Sequence, residues 1–197
     1  MLFSVTVPPP ESEISDEELM LLIGGGDAQS FRRLVERHQQ LIIGTIARMI
    51  GPAEAEDLAQ QVFLNVWKSA PRWRPEAKVT TWLLTIAKRL VFNESRRRSR
   101  ARLIPQSREE EAEPEYPDAT PGPDRQLLEL ELHQAIESAM AFLPEKERLA
   151  LVLRQYQGMP YEEIALILGV SLPAVKSLLF RARENLKVRL KSYLTES

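Results

Sequence analysis

The sequence has 197 residues, 44% of them hydrophobic and 27% charged, the composition of a folded chain with room for one large domain or two small ones. Cys is absent and His occurs only as His38 and His133, which excludes disulfides, thiolate metal centres, thiol nucleophiles and histidine clusters. The net charge of −2 hides three blocks: ten bases against two acids over 72–102, one base against seven acids over 108–124, and six bases against one acid over 172–191.

Residues 1–14 carry Pro8-Pro9-Pro10 and acids, and are expected to form a mobile tail. The first base is Arg32 and no apolar run nears the roughly 20 residues of a membrane span, so a cytoplasmic chain is expected. Ser15-x-x-Glu18 has the form of a capping box and predicts a helix that Gly24-Gly25-Gly26 ends. Asp27 can cap the next helix, which runs through Phe31 and Leu34 to Met49 and stops at Gly51-Pro52. A third helix is predicted over 54–68. It has Leu58, Val62, Phe63, Val66 and Trp67 on one face and Asp57, Gln60, Gln61 and Leu64 on the other. That second face is either a solvated back or a protein-docking surface.

Pro71 and Pro75 bracket a loop, and a further helix runs from about Thr80 into Arg96-Arg97-Arg98. Aromatic residues among bases suit single-stranded DNA, where unstacked bases lie on rings while cations meet the backbone. Trp82, at helical spacing with Leu83 and Ile86, is assigned to the core, whereas Trp73, in the loop with Arg72, Arg74 and Lys78, is expected to be exposed. The arginine cluster is either a solvated helix end or the seat of a polyanionic partner, and the second is expected because so dense a like-charge cluster repels itself without one. Five prolines and the acidic block occupy 104–123, which cannot continue a helix and reads as a linker.

Four more helices are predicted, over 124–142, 145–156, 161–168 and from Ser171 onward. No alternating strand pattern of useful length is present, so the fold class is all-α, two helical modules on a flexible tether. In Tyr161-Glu-Glu-Ile-Ala-Leu-Ile-Leu-Gly-Val-Ser-Leu-Pro-Ala-Val-Lys-Ser, Ala165, Gly169 and Val175 supply the small crossing residue, the turn residue and the β-branched core residue of a helix-turn-helix. Ser171 caps its second helix and Pro173 sits in the first turn. Val175, Leu179, Ala182 and Leu186 form the predicted core stripe. Pro173, Lys176, Ser177, Phe180 and Lys187 lie opposite, with Arg181 and Arg183 on the flanks, a face suited to the major groove. Phe180 either meets a thymine methyl or packs on a neighbouring stem.

These segments, in this order, resemble the bacterial sigma-70 family, specifically its small two-domain extracytoplasmic function (ECF, group 4) members. The resemblance spans 16–193. Asp57-Leu-x-Gln-x-Val-Phe-Leu-x-Val-Trp is similar to the family's region 2.2, and Thr81-Trp-Leu-x-x-Ile-Ala through the arginines to regions 2.3 and 2.4. Leu143-Pro-Glu-x-x-Arg148, Tyr161-Glu-Glu-Ile-Ala and Val175-Lys-Ser are similar to region 4.

The resemblance implies an initiation factor rather than an enzyme, with no cofactor and no metal, that binds RNA polymerase core at the β′ clamp helices and β flap. It implies reading of a single-stranded −10 element and a duplex −35 element, control by an anti-sigma factor, and a monomer when free. Asp57, Gln60, Gln61 and Leu64 become candidate polymerase contacts. Trp73, Lys78, Arg89, Asn93, Arg96, Arg97, Arg98 and Arg100 become candidate −10 contacts, with Asn93 reading a flipped base in a pocket made by the 73–78 loop. Ser171, Pro173, Lys176, Ser177, Phe180, Arg181 and Arg183 become candidate −35 contacts. The implied division is a tail over 1–14, region 2 over 15–102, an acidic linker over 103–123 that either mimics nucleic acid inside polymerase or merely tethers, and region 4 over 124–194.

Gln61 stands where the family commonly has Glu, Arg89 where it often has Asn, and Leu178, expected to be half-packed, where it usually has Arg. The competing reading is a stand-alone helix-turn-helix regulator that binds duplex DNA without polymerase. An enzyme is disfavoured: Gly24-Gly25-Gly26 lacks the Lys-Ser/Thr of a phosphate loop, and no nucleophile elbow is present.

Overall fold

The computed structural model describes residues 14–103 and 124–191; the expected tail up to residue 13, the linker over 104–123 and residues 192–197 lie outside them. Among the described residues there are eight α-helices and no strand. The first module holds α1 (Asp16–Gly24), α2 (Ala28–Ile50), α3 (Ala55–Ser69), a 3₁₀ turn (Ala70–Arg72) and α4 (Val79–Leu103). The second holds α5 (Asp124–Ala141), α6 (Glu145–Gln155), α7 (Tyr161–Leu168) and α8 (Leu172–Arg189).

Side-chain caps start three of these helices, α1, α2 and α8. The Ser15 N–H donates to Glu18 Oε2 at 2.8 Å and the Glu18 N–H to Ser15 Oγ at 3.2 Å, a complete capping box. The Asp27 carboxylate accepts from the N–H groups of Gln29 at 3.1 Å and Ser30 at 3.2 Å, so two otherwise orphaned donors of α2 are satisfied. Asp16, in the first turn of α1, reaches across to α2, where it pairs with Arg37 and lies 2.7 Å from Nε2 of the buried His38. One of the two histidines is thereby a structural tie.

α2 packs against α1, α3 and α4. Leu34, Ile42, Ile46, Val62, Val66 and Leu83 are fully buried there, each contributing about 1.5–3 kcal/mol in apolar transfer. Gly24 allows α1 to close on the 3₁₀ turn, because a Cβ at that position would sit 3.1 Å from the Ala70 carbonyl oxygen.

In the second module α6 packs on α7 and α8, and α7 and α8 meet at 96° across the turn. Gly169 makes that turn with φ 66° and ψ 45°, the left-handed region, while its N–H and that of Val170 return to the Ala165 carbonyl. The Ser171 hydroxyl then accepts from the Ala174 N–H at 3.4 Å. Inside the module Glu147, only 6% exposed, accepts from Arg181 Nε at 2.8 Å and Asn185 Nδ2 at 3.1 Å, tying α8 to α6.

Three expectations change. Leu178 is buried rather than half-packed, since both α6 and α7 cover α8; it joins the predicted Val175, Leu179 and Ala182, while Leu186, the fourth predicted position, is only half-buried. The 71–75 loop begins as a 3₁₀ turn. The two modules also touch, α7 against α4 and α6 against α2.

At the end of α4, Glu94 accepts two hydrogen bonds from Arg97, both at 2.8 Å, and one from Arg98 at 3.0 Å. Those bonds hold its carboxyl at about 2, against an ordinary 4.5. A carboxyl depressed on folding stabilises fully above its unfolded value and loses that contribution as pH falls toward the folded one. Chemical denaturation at stepped pH should therefore show Glu94→Gln destabilised at neutrality, with the gap to the parent closing as pH drops from 4.5 toward about 2. Gly169→Ala, which forces a Cβ into the left-handed region, should lose about 1–2 kcal/mol in the same measurement.

Candidate nucleic-acid interface

The outward face of α8 is built from its cap onward. Ser171, Pro173, Lys176, Ser177, Phe180, Arg181 and Arg183 are all exposed, Phe180 at 66%. Val175, Leu179 and Ala182 are buried opposite, so the inner stripe fixes which side chains look outward. Ser177 Oγ donates to the Pro173 carbonyl at 3.1 Å, as a helical serine often does to the residue four before it. Lys176, Arg183 and Lys187 form no ion pair among the described residues, whereas Arg181 is held by Glu147. The face thus offers free cations, one hydroxyl and one aromatic ring on a rigid helix.

A second surface lies between α3, the 3₁₀ turn and α4. A cleft of about 760 Å³ is lined by Lys68, Arg72, Trp73, Arg74, Trp82, Thr85, Arg89 and neighbours, with Leu166 of α7 forming one wall. Trp73 and Trp82 meet edge to face, their centroids 6.5 Å apart at 62°. Trp73 is only 7% exposed, contrary to expectation, and Trp82 is half-buried rather than fully in the core. The 3₁₀ turn is the reason: it folds the Trp73 indole back onto Trp82, and Arg74 Nη1 donates to the Trp73 carbonyl at 3.1 Å. Arg72, Arg74 and Arg89 surround a floor of aromatic rings, an arrangement that receives flat, unstacked groups attached to anions.

The predicted −10 residues are not all brought together there. Asn93 is exposed but does not line the cleft; it sits one helical turn beyond Arg89. Lys78 lies outside the cleft wall and bonds Glu163 Oε1 at 2.6 Å. Arg96 and Arg100 are exposed and unpaired among the described residues. Arg97 is held by Glu94. Arg98 is a structural clamp, donating to the Ile50 carbonyl at 3.1 Å and pairing with Glu54 at 2.7 Å and with Glu94. The expected self-repulsion of the cluster is thus relieved internally by Glu94 and Glu54. Burial, with Arg89 and Lys146 nearby, pushes the Lys88 ammonium below its ordinary value, and Lys88 Nζ donates to the Ile167 carbonyl.

Sequence reasoning missed Lys68 and Thr85 as cleft residues. Thr85 is four after Thr81 and three after Trp82, so its position was deducible once Trp82 faced the cleft; Lys68 carried no local signal.

The third surface is the outer face of α3. Asp57, Gln60, Gln61 and Leu64 are all exposed, Leu64 at 54%, along a strip of about 10 Å set by the helical rise. Trp67, expected on the opposite face, is instead exposed at the border of this strip, because it packs edge to face on Phe31, with centroids 5.1 Å apart, rather than into the core. A polar strip centred on an exposed leucine is the pattern of a protein contact with one apolar anchor.

The family model for sigma-70 region 2 matches residues 34–101, and that for sigma-70 region 4 matches residues 133–186. The RNA polymerase sigma-H factor of Pseudomonas aeruginosa is 32% identical over 187 residues, covering 92% of this chain and 97% of that protein. The ECF RNA polymerase sigma-E factor of Escherichia coli K12 is 29% identical over 178 residues, covering 87% and 92%. Among solved structures, that of CnrH in complex with the cytosolic domain of CnrY superposes with a TM-score of 0.66 at 25% identity, covering 91% of this chain and 99% of that one. With both regions present in order and a relative aligned along nearly the whole length, the chain belongs to the sigma-70 family of RNA polymerase sigma factors, in its ECF group.

Proposed function

We propose that this protein directs promoter-specific initiation by dividing three tasks among three surfaces, in the cytoplasm and as a monomer when free. The α3 strip of Asp57, Gln60, Gln61 and Leu64 docks on the β′ clamp helices of core polymerase. The cleft between α3 and α4 takes an unstacked non-template base of the −10 element. Arg96 and Arg100 meet the flanking phosphates, and Asn93 reads beside the cleft rather than inside it. The α8 face reads the −35 element in the major groove, with Lys176 and Arg183 on phosphates or base edges and Ser177 and Phe180 between them. The region-4 module contacts the β flap, and an anti-sigma factor holds the chain in check; the sigma factor RpoE of Bartonella quintana, of similar fold, is found in complex with the anti-sigma factor NepR.

The observation that carries this reading is the pairing, in one chain, of a tryptophan-floored cationic cleft with an unobstructed basic recognition helix. One suits a single strand and the other a duplex, and promoter opening presents both. Binding energy held in the opened strand favours melting, so no nucleotide hydrolysis is required. The two DNA modules act through one polymerase and gain effective concentration, so the free chain should bind duplex DNA weakly.

Transcription of genomic fragments by sigma-free bacterial core polymerase, with and without the protein, tests the whole. New discrete start sites should appear only in its presence. A shift of duplex DNA by the protein alone, without new starts, would instead support a stand-alone regulator.

Lys176→Ala with Arg183→Ala should reduce promoter-dependent transcription about tenfold or more and flatten its salt dependence, leaving affinity for core polymerase unchanged in a binding titration. Arg181→Ala belongs to a different class: it strips buried Glu147 of a partner and should lower the unfolding midpoint of the second module as well as transcription. Asp57→Ala with Leu64→Ala should weaken core binding about tenfold, with circular dichroism unchanged because both side chains are exposed.

A further inference from the structure

Two side chains on the α4 wall of the tryptophan cleft have complementary hydrogen-bonding capacity left over. Thr85 Oγ1 donates its one proton to the Thr81 carbonyl at 2.9 Å, so toward the cleft its hydroxyl can only accept. Arg89 also lines the cleft, is exposed, and makes no hydrogen bond or ion pair among the described residues. Its guanidinium can only donate, through a planar fork of parallel N–H groups. Residues four apart on a helix have Cβ atoms about 5–6 Å apart, close enough to meet the same edge of one base. Trp82, three residues before Thr85, and Trp73 supply the floor beside this row. Lys68, Arg72 and Arg74 come instead from α3, the 3₁₀ turn and the loop, where cations suit a backbone phosphate.

A base lying on those rings with its pairing edge toward α4 therefore meets one acceptor followed by two donors. Cytosine carries the matching order: its N4 amino group donates, and its N3 and O2 accept. Thymine offers acceptor, donor, acceptor, which sets its O4 against the Thr85 oxygen and its N3–H against the guanidinium. Guanine offers the reverse order. Adenine satisfies Thr85 and one Arg89 donor, and leaves the second facing its C2–H. One base of the four completes all three bonds, and a polar group left unpaired beneath a stacked base costs free energy. Arg89 stands where the family often has Asn. An amide carries one donor and one acceptor, so it serves adenine and cytosine alike, and the discrimination belongs to this chain's arginine.

We propose that Thr85 and Arg89 form a base-reading pair that selects cytosine as the unstacked −10 base: Thr85 Oγ1 accepts from the N4 amino group, and the Arg89 guanidinium donates to N3 and O2. This rests on the reading of the cleft as a single-strand site.

Holoenzyme reconstituted from core polymerase and the full chain can be given pre-opened promoter templates randomised along the non-template −10 strand, and its transcripts sequenced. Cytosine should be enriched about tenfold or more over thymine at one position. Arg89→Asn should let adenine rise to the level of cytosine there. Arg89→Lys, which loses the fork, should flatten the preference at that position alone. Replacing that cytosine by 2-pyrimidinone, which lacks the amino group, should cost the parent about three- to tenfold and cost Thr85→Val nothing further. The pair is overturned if cytosine is not preferred, or if Arg89→Asn leaves the preference unchanged. It is overturned equally if the amino group proves indifferent, or if Glu76→Gln rather than Thr85→Val abolishes the response to it. Light-induced crosslinking of 5-iodocytosine, placed at each −10 position in turn, separates that failure from failure of the cleft. Attachment to Trp73 or Trp82 keeps the cleft reading, and no attachment at any position overturns both.

Discussion

Everything in this molecule is organised by the demand that α4 face three ways at once. Taking Leu83 as the origin at roughly 100° per residue, the buried residues Leu83, Leu84, Ala87 and Val91 occupy about the first 100°, with the buried Val79 roughly 40° before them. Lys88, Thr81 and Lys78 follow, turned toward α7, and overlapping their far edge come Thr85, Arg89, Trp82 and Ile86, turned toward the cleft. Only the first sector is apolar in the usual sense. The other two mix rings, hydroxyls and cations, and this is why the helix lacks a clean amphipathic stripe. The core sector must hold α4 against α2 and α3 firmly enough that the remaining two stay in register with their partners.

Part of the charge in this chain is paired internally, and the basic blocks are less free than their counts imply. Glu94 takes Arg97 and, with Glu54, Arg98; Glu147 takes Arg181; Glu163 takes Lys78. Among the described residues of the two basic blocks, the cations left for a polyanion include those around the tryptophan cleft, Arg96 and Arg100 beyond it, and Lys176, Arg183 and Lys187 on α8. Each internal acid thereby sorts neighbouring bases into those that position the structure and those available to a ligand. A variant at Arg98 or Arg181 therefore changes the frame, whereas one at Arg100 or Lys176 changes the field.

The legible part of the fold is the part written in neighbours. The Ser15 box, the Asp27 cap, the left-handed Gly169 and the Ser171 cap involve residues two to four apart, and each lies where local chemistry required. The α8 core stripe followed from helical period alone. Trp73 and Leu178 did not, because their burial depends on what arrives from elsewhere: a 3₁₀ turn folded onto α4 in one case, and α6 laid over α8 in the other. The Glu94 pairs with Arg97 and Arg98, three and four residues apart, were available to inspection. The bonds of Glu147 to Arg181 and Glu163 to Lys78, 34 and 85 residues apart, were not.

The tie between Glu147 and α8 has a consequence for how such a protein can be re-addressed. Arg181 and Asn185 are one helical turn apart, so a single buried carboxylate grips α8 at two points along its length. That grip fixes the roll of the helix about its own axis, independently of anything on the far side. The lettering on the outer side can then be exchanged without re-aiming the type that carries it. Substitutions at Lys176, Ser177 and Phe180 can give a paralogue a different vocabulary while its angle of approach to the groove is inherited unchanged.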